Sequence, residues 1–197
     1  MTIVVVPFAG SEGKTRLDAP RSTRRDLSLA MLADVLAAST VVGSTLVVTG
    51  DDAGGALARE LGADVAVDPG GGQGPAVQTA LVGLADPVLV VNADVPCVVP
   101  GDLRALLEGI PDRGIALVEA LDGTTNALGL SSADLFRPLY GQDSARRFHA
   151  LDVDTVSLVV PNLAEDVDTM GDLERLQLRC GPRTQSVLAA LTTGTAQ

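Results

Sequence analysis

An α/β architecture on a mostly parallel sheet is what this sequence predicts, and three observations carry it. Apolar residues make up 46% of the chain but aromatics only 2%, so the core must be assembled from Val, Leu and Ala, which suits strands covered by helices on both faces. Short β-branched runs bounded by Gly, Pro or Asp recur at 3–6, 46–48, 65–67 and 88–91, the pattern of buried parallel strands. Segments of helical period separate them, and that alternation closes as right-handed β-α-β units. At 197 residues the chain reads as a single domain, 1–197, with a sizeable core.

Taken in order, residues 26–38 carry Leu27, Ala30, Met31, Asp34, Val35 and Ala38 at three-to-four spacing, the signature of a helix with one buried face. A shorter helix is expected over 53–61. Pro75 is expected to open a third, at the first helical position, where its missing N–H costs nothing. After Asp94 the pattern changes. A short helix at 103–107 precedes strand-like runs at 115–121, 127–130 and 156–160 with little helix between, so this half of the sheet is predicted to be mixed. Thr169 and Asp172 have capping-box spacing ahead of a helix over 173–178. The stretch from Gly181 is expected to hold one more short helix and then fray through Thr195-Ala196-Gln197.

Charge and cysteine usage exclude several classes of partner. A net charge of −11, from 14 basic against 25 acidic residues, argues against nucleic acid, whose non-specific binding depends on a basic face. No apolar segment approaches a membrane span or resembles a signal peptide. Cys97 and Cys180 are the only cysteines, and a reduced, cytoplasmic protein with no membrane partner is expected.

Lysine occurs once, at Lys14, in the loop Pro7-Phe8-Ala9-Gly10-Ser11-Glu12-Gly13-Lys14-Thr15-Arg16-Leu17. A loop leaving the carboxyl end of the first strand lies at the ligand crevice of an open α/β sheet, and its glycines let backbone N–H groups approach an anion. Lys14 and Arg16 are thus read as a phosphate grip; the plain alternative is a solvated loop, since an isolated Gly/Lys match is weak.

Asp94 emerges from the run Val88-Leu89-Val90-Val91 at the same edge of the sheet. It either caps the helix near Pro100 or holds a hard cation such as Mg²⁺, which prefers oxygen ligands. Asp-Val-Asp-Thr occurs twice, at 152–155 and 166–169. In extended backbone, residues two apart share a side, so either pair can clamp one metal. Asp166 and Asp168 are favoured because a capped helix follows them, whereas Asp152 and Asp154 read as solvated acids beside a strand. Gly123-Thr124-Thr125-Asn126 and Tyr140-Gly141-Gln142-Asp143-Ser144 fit tight turns. The functional reading makes Ser144 the cap of a helix whose N-terminus, with Arg146 and Arg147, receives a phosphate or carboxylate. His149, the only histidine, reads as a surface or structural residue rather than a general base.

In this order the pieces resemble the guanylyltransferases of coenzyme F420 biosynthesis, which join GTP to a small phosphorylated three-carbon acid. The matching segments are Lys14-Thr15-Arg16-Leu17, residues 29–36, Thr79-Ala80-Leu81, Asp94-Val95-Pro96, Thr125-Asn126-Ala127-Leu128, residues 140–144, and Asp166-Val167-Asp168-Thr169 with Asp172-Leu173. They span nearly the whole chain. The resemblance implies a GT-A-like (nucleotide-diphospho-sugar transferase-like) α/β/α sandwich with a mostly parallel mixed sheet. It implies further that Asp94, Asp166 and Asp168 hold Mg²⁺, that Lys14 and Arg16 face the GTP phosphates with Lys14, Arg16 and Asp94 forming the catalytic set, and that Asn126, Gly141 and Ser144 hold the acid. On this reading Asp152-Val153-Asp154-Thr155 is a decoy.

This chain departs from the family in three places. Phe8 stands where a second lysine is usual, Gln78 replaces the usual Asn before Thr79-Ala80-Leu81, and Phe148 takes the position of the family histidine. Phosphoenolpyruvate is the favoured acid, because the Ala, Gly, Val, Asp and Arg bias points to a GC-rich host; 2-phospho-L-lactate and 3-phosphoglycerate remain open. The rivals are another nucleotidyltransferase of this fold, such as a molybdopterin guanylyltransferase or a sugar-phosphate cytidylyltransferase, and a non-catalytic nucleotide-binding module. The former usually carry a Gly-Gly motif that Pro7-Phe8-Ala9-Gly10 lacks.

Overall fold

The opening run forms β1 (Ile3–Pro7), whose Val4, Val5 and Val6 are all fully buried because both faces of the strand are covered. The computed structural model describes residues 2–11, 14–84 and 87–194, so Glu12 and Gly13 of the Lys14 loop and the terminal Thr195-Ala196-Gln197 lie outside the described residues. From β1 the chain runs through α1 (Arg21–Val42), β2 (Ser44–Thr49), α2 (Asp52–Glu60), β3 (Asp64–Val67), α3 (Gln73–Ala80), β4 (Val88–Val91) and α4 (Pro100–Glu108). The second half holds β5 (Gly114–Glu119), β6 (Thr125–Leu130), a 3₁₀ turn (Ala133–Leu135), α5 (Ser144–His149), β7 (Asp154–Ser157), α6 (Pro161–Ala164), α7 (Met170–Leu176) and α8 (Pro182–Gly194).

The seven strands form one mixed sheet in the order β3-β2-β1-β4-β6-β5-β7. β6 runs antiparallel to both β4 and β5, and the other pairings are parallel. Alternation along β1 sends Val4 and Val6 into one apolar layer, with Leu32, Leu36, Leu103 and Leu163, and Val5 into the other, with Val77, Phe136 and Phe148. Helices therefore cover both faces, the α/β/α arrangement expected. Complete burial of a valine contributes about 1.5–3 kcal/mol, so these alternating positions set the register. A third cluster joins Leu27 and Met31 of α1 to Leu173 and Leu176 of α7, with Cys97 and Cys180 inside it as free thiols. Among the described residues no helix is long and apolar enough to cross a membrane.

Several boundaries differ from the periodic reading: α7, expected over 173–178, runs Met170–Leu176 because its capping box starts it at Thr169, and β5, expected to reach 121, ends at Glu119. Helix α1 starts at Arg21 rather than 26, because its first turn is largely exposed and carries no apolar period. Pro75 is the third residue of α3, not the first; the whole first turn lacks intrahelical N–H acceptors, so proline fits there as well. β7 begins at Asp154 and ends before the 156–160 run does, since Pro161 opens α6. The last helix is long, at 13 residues. Its start is capped from α1: the buried carboxylate of Asp34 accepts the N–H groups of Arg183 (3.1 Å) and Thr184 (2.8 Å).

Parallel strands on either side of β1 are reached by crossovers leaving in opposite directions, so a crevice opens at the carboxyl ends of β1 and β4. Lys14 follows β1 and Asp94 follows β4.

Candidate active site

The loop after β1 is tethered at Ser11, whose N–H (3.0 Å) and hydroxyl (2.8 Å) both donate to Oδ2 of Asp51. The other oxygen of Asp51 caps α2 through the N–H of Gly54 at 2.6 Å. Burial works against ionisation of Asp51, but the N–H of Gly54 and the two Ser11 donors outweigh it and hold the carboxyl below the usual range. One anchored carboxylate thus sets both the loop and the helix beside it.

Lys14 reaches across to the acids. Its Nζ lies 2.6 Å from Oδ2 of Asp94 and 2.7 Å from Oδ1 of Asp168, while Nη1 of Arg16 reaches Oδ2 of Asp168 at 3.0 Å. Burial opposes the ammonium charge and is the largest single influence. Asp94 and Asp168 together overcome it and raise the lysine above its ordinary value.

Asp166 and Asp168 come from the segment between α6 and α7, and local bonding explains their placement. The fully buried Val167 separates them, and its N–H donates to the carbonyl of Asp94 at 2.9 Å, splicing the two acidic segments. The capping box Thr169/Asp172 starts α7 as the spacing predicted, and the N–H of Asp168 also donates to Asp172 at 3.2 Å. One carboxylate oxygen from each of Asp94, Asp166 and Asp168 falls within a 4.8 Å cluster. Burial, followed by repulsion from Asp94, pushes Asp166 upward against the opposing hydrogen bond from Asn126. Among the described residues Oδ1 of Asp94 is buried with no hydrogen-bond partner, an arrangement that costs free energy unless a cation or donor arrives. An all-oxygen cluster with an orphaned carboxylate oxygen fits a hard divalent cation. Asp94 does not cap α4, which is closed by its own Asp102 accepting the N–H of Val99. Asp152 and Asp154 are exposed and outside the cluster.

Two cavities meet at these acids. The larger, about 700 Å³, is lined by Phe8, Ala9, Lys14, Asp68 and Gln73 among others; the smaller, about 370 Å³, is lined by Arg16, Asp122, Asn126, Tyr140, Gly141 and Gln142 among others. Arg16, Gln73, Asn92, Asp94 and Asp168 belong to both walls. Phe8 forms apolar wall. Its ring occupies the room beside Gly54, where an added Cβ would come within 2.4 Å of Cε1.

Of the residues singled out from sequence, Lys14, Arg16, Asp94, Asp166, Asp168, Asn126 and Gly141 converge on this region. Ser144 does not line either cavity. It is fully buried behind the wall and spends its hydroxyl on Thr125 Oγ1 at 3.0 Å, while the cap position of α5 belongs to Asp143 in left-handed conformation. Arg147 is not free for an anion either, since its Nη2 donates to the carbonyls of Tyr140 (2.9 Å) and Gln142 (3.0 Å). Gln78 is exposed on α3 and lies off both walls. His149 is exposed and pairs with Ser157 Oγ at 2.7 Å. Sequence reasoning missed Asp51, Gln73, Asn92 and Asp122. Asn92, two residues before Asp94 at the end of a strand, carried the one usable signal.

The MobA-like NTP transferase domain family matches residues 27–156. A phosphoenolpyruvate guanylyltransferase from Nocardia farcinica is 36% identical over 179 residues, covering 84% of this chain and 79% of that protein. The enzyme of the same description from Streptomyces coelicolor is 35% identical over 204 residues, covering 96% of each. Among solved structures, a Desulfovibrio desulfuricans protein described as a nucleotide-diphospho-sugar transferase superposes with a TM-score of 0.75 at 19% identity, over 97% of this chain and 95% of that one. A Methanothermobacter nucleotidyl transferase superposes with a TM-score of 0.67 at 18% identity, over 96% and 99%. The structural likenesses establish the nucleotide-diphospho-sugar transferase-like fold, and the sequence likenesses the family. With the match running across both halves of the sheet and both acidic segments, the chain belongs to the phosphoenolpyruvate guanylyltransferase family of MobA-like nucleotidyltransferases.

Proposed function

We propose that this protein transfers GMP from GTP to the phosphate of phosphoenolpyruvate, releasing pyrophosphate, as a step in coenzyme F420 biosynthesis. The observation that carries the proposal is the meeting of Lys14, Arg16 and the Asp94/Asp166/Asp168 cluster where a nucleotide-sized cavity adjoins a smaller one. A cavity of several hundred Å³ suits a nucleotide, and the smaller one suits a three-carbon acid. The names carried by the relatives support the same pair of substrates.

In this reading a phosphate oxygen of the acceptor attacks the α-phosphorus of GTP. The new bond is Pα–O to the acceptor phosphate; the bond to the β-phosphate bridging oxygen breaks, and its electron pair leaves with pyrophosphate. A phosphate monoester has a second pKa near about 6 and is already largely ionised at neutral pH, so no general base is needed and an exposed His149 is no obstacle. Bringing anions together and spreading charge on the leaving group are the main barriers. Lys14 is assigned to the triphosphate, which draws its ammonium off the acids. Arg16, on the wall of both cavities, is assigned to the approaching acceptor and the transferred phosphoryl group. Asn126 and the turn at Gly141 orient the acceptor, and Ser144 supports that wall through Thr125. Asp94, Asp166 and Asp168 would hold Mg²⁺, which supplies charge neutralisation to the reacting phosphates.

The test is pyrophosphate release by the purified protein with Mg²⁺ and GTP, run with phosphoenolpyruvate, 2-phospho-L-lactate, 3-phosphoglycerate and no acid, and with CTP replacing GTP. Release with GTP and phosphoenolpyruvate alone is expected. Release with a different acid reassigns the acceptor, release with CTP points to a cytidylyltransferase, and silence with all acids despite tight GTP binding favours the non-catalytic module.

A further inference from the structure

A row of side-chain amides runs from the larger cavity to the acidic cluster. Gln73 Nε2 donates to Asn92 Oδ1 at 2.6 Å, Asn92 Nδ2 to Asn126 Oδ1 at 3.2 Å, and Asn126 Nδ2 to Asp166 Oδ1 at 3.2 Å. Gln73 is the first residue of α3, Asn92 directly follows β4 and Asn126 lies on β6. The backbone reinforces the middle link, with the N–H of Asn92 donating to the carbonyl of Asn126 at 2.9 Å.

The direction of the row is dictated by its end. An ionised carboxylate only accepts, so Asn126 must turn its NH₂ group toward Asp166 and its oxygen toward Asn92. Asn92 must then present NH₂ to Asn126 and oxygen to Gln73. An independent acceptor agrees, because the carbonyl of Thr125 lies 3.4 Å from the same Nδ2 of Asn92. Reversing any one amide would set oxygen against oxygen or NH₂ against NH₂. Gln73 and Asn92 also line both cavities, so the row is part of the partition between the two proposed substrates.

We infer that Gln73 and Asn92 are positioning residues: through Asn126 they hold one oxygen of Asp166, leaving its other oxygen for the cation shared with Asp94 and Asp168. The inference rests on the metal-assisted reading above and adds two residues to it. Partners that orient a metal ligand typically matter by tenfold to a hundredfold in metal affinity or activity. A row acting only as a brace between α3, β4 and β6 would instead show its removal in stability.

The experiment is titration of metal-stripped protein with Mn²⁺, without nucleotide or acid, following free Mn²⁺ by electron paramagnetic resonance alongside thermal melting. Asn92→Leu removes both links while keeping the branched side-chain shape and is expected to weaken Mn²⁺ binding roughly tenfold. Gln73→Leu, one link further from Asp166, is expected to weaken it by a smaller factor. Unchanged Mn²⁺ affinity in both variants, with only melting altered, overturns the inference and leaves a brace. Should Asn92→Leu fail to fold, an unchanged affinity in Gln73→Leu overturns it alone. A wild-type protein that binds no Mn²⁺ sinks the metal-assisted reading itself, a result distinct from graded or absent effects in the variants.

Discussion

Replacing Lys14 by methionine keeps most of the side chain's length and removes its charge, and the structure predicts opposite consequences for metal binding and for turnover. In the free protein the ammonium bridges Asp94 and Asp168 at 2.6 and 2.7 Å, with the three side chains 17%, 26% and 36% exposed. Unit charges 4 Å apart attract by about 4 kcal/mol at an effective dielectric constant of 20. Partial exposure and the cost of holding two side chains reduce the net value to roughly 1 kcal/mol per pair, so losing both costs ~2 kcal/mol and roughly 4–8 °C in melting temperature. The same change removes the competitor for the acidic cluster. Mn²⁺ should bind the variant more tightly than wild type in the absence of nucleotide, and a saturating cation should recover more stability in the variant; at one hundred times Kd a ligand adds about 2.7 kcal/mol. Turnover should go the other way. Loss of a positioned cation from a charge-stabilising site costs on the order of a hundredfold or more in kcat. The assays are Mn²⁺ titration, melting with and without Mg²⁺, and pyrophosphate release. Turnover within about tenfold of wild type, together with unchanged Mn²⁺ affinity, would refute the reasoning.

Asp166→Asn should raise the melting temperature of the metal-free protein at neutral pH while weakening Mn²⁺ binding. Burial and repulsion from Asp94 hold this carboxyl above its ordinary value, so its ionisation costs native stability as pH rises through that interval. Below the ordinary aspartate range both states are protonated and the advantage of the variant should vanish; an advantage constant with pH would contradict the assignment. Asp94→Asn should lower kcat by a hundredfold or more with the fold retained by circular dichroism, and surviving activity would remove Asp94 from the metal set. Gly54→Ala drives a methyl group to within 2.4 Å of the Phe8 ring. Overpacking of this kind costs about 1–3 kcal/mol, only partly offset by helix propensity. Adding Phe8→Leu should restore stability, and a simple sum of the two single effects would show that the residues do not compete for the space. Asp34→Ala removes the acceptor for two N–H groups at the start of α8 and should cost about 0.5–2 kcal/mol, as cap losses do, measured by urea denaturation.

Much of the candidate site is legible in the sequence because its chemistry sits just past strand ends. Asp94 follows four fully buried residues, and such a run ends where its apolar residues end. Thr169 and Asp172 mark the start of α7 by spacing alone, which made Asp166 and Asp168 the favoured of two identical motifs; Asp152 and Asp154 lie exposed, outside the acidic cluster. Ser144 shows where local reading fails. Its sequence context suits a cap, but Asp143 takes that place and Thr125, 19 residues away, takes the hydroxyl. The same holds for Phe8, which looks like a lost cation in a loop and is wall and core at once because Gly54 leaves it room.

The sequence by itself determined most of the segments that become strands and helices, where the acids and the lone lysine fall along the chain, and the family to which it belongs. Those signals are local periods, caps and ordered motifs. Only the tertiary structure decided that Lys14 meets Asp168, 154 residues away, that β6 runs against its neighbours, and that Gln73, Asn92, Asn126 and Asp166 form one row. These depend on strand order and on the reversal of β6, which the two apolar layers select jointly by burying Val4 and Val6 on one face and Val5 on the other. No segment carries that choice alone, because the free energy that decides it belongs to the packed whole.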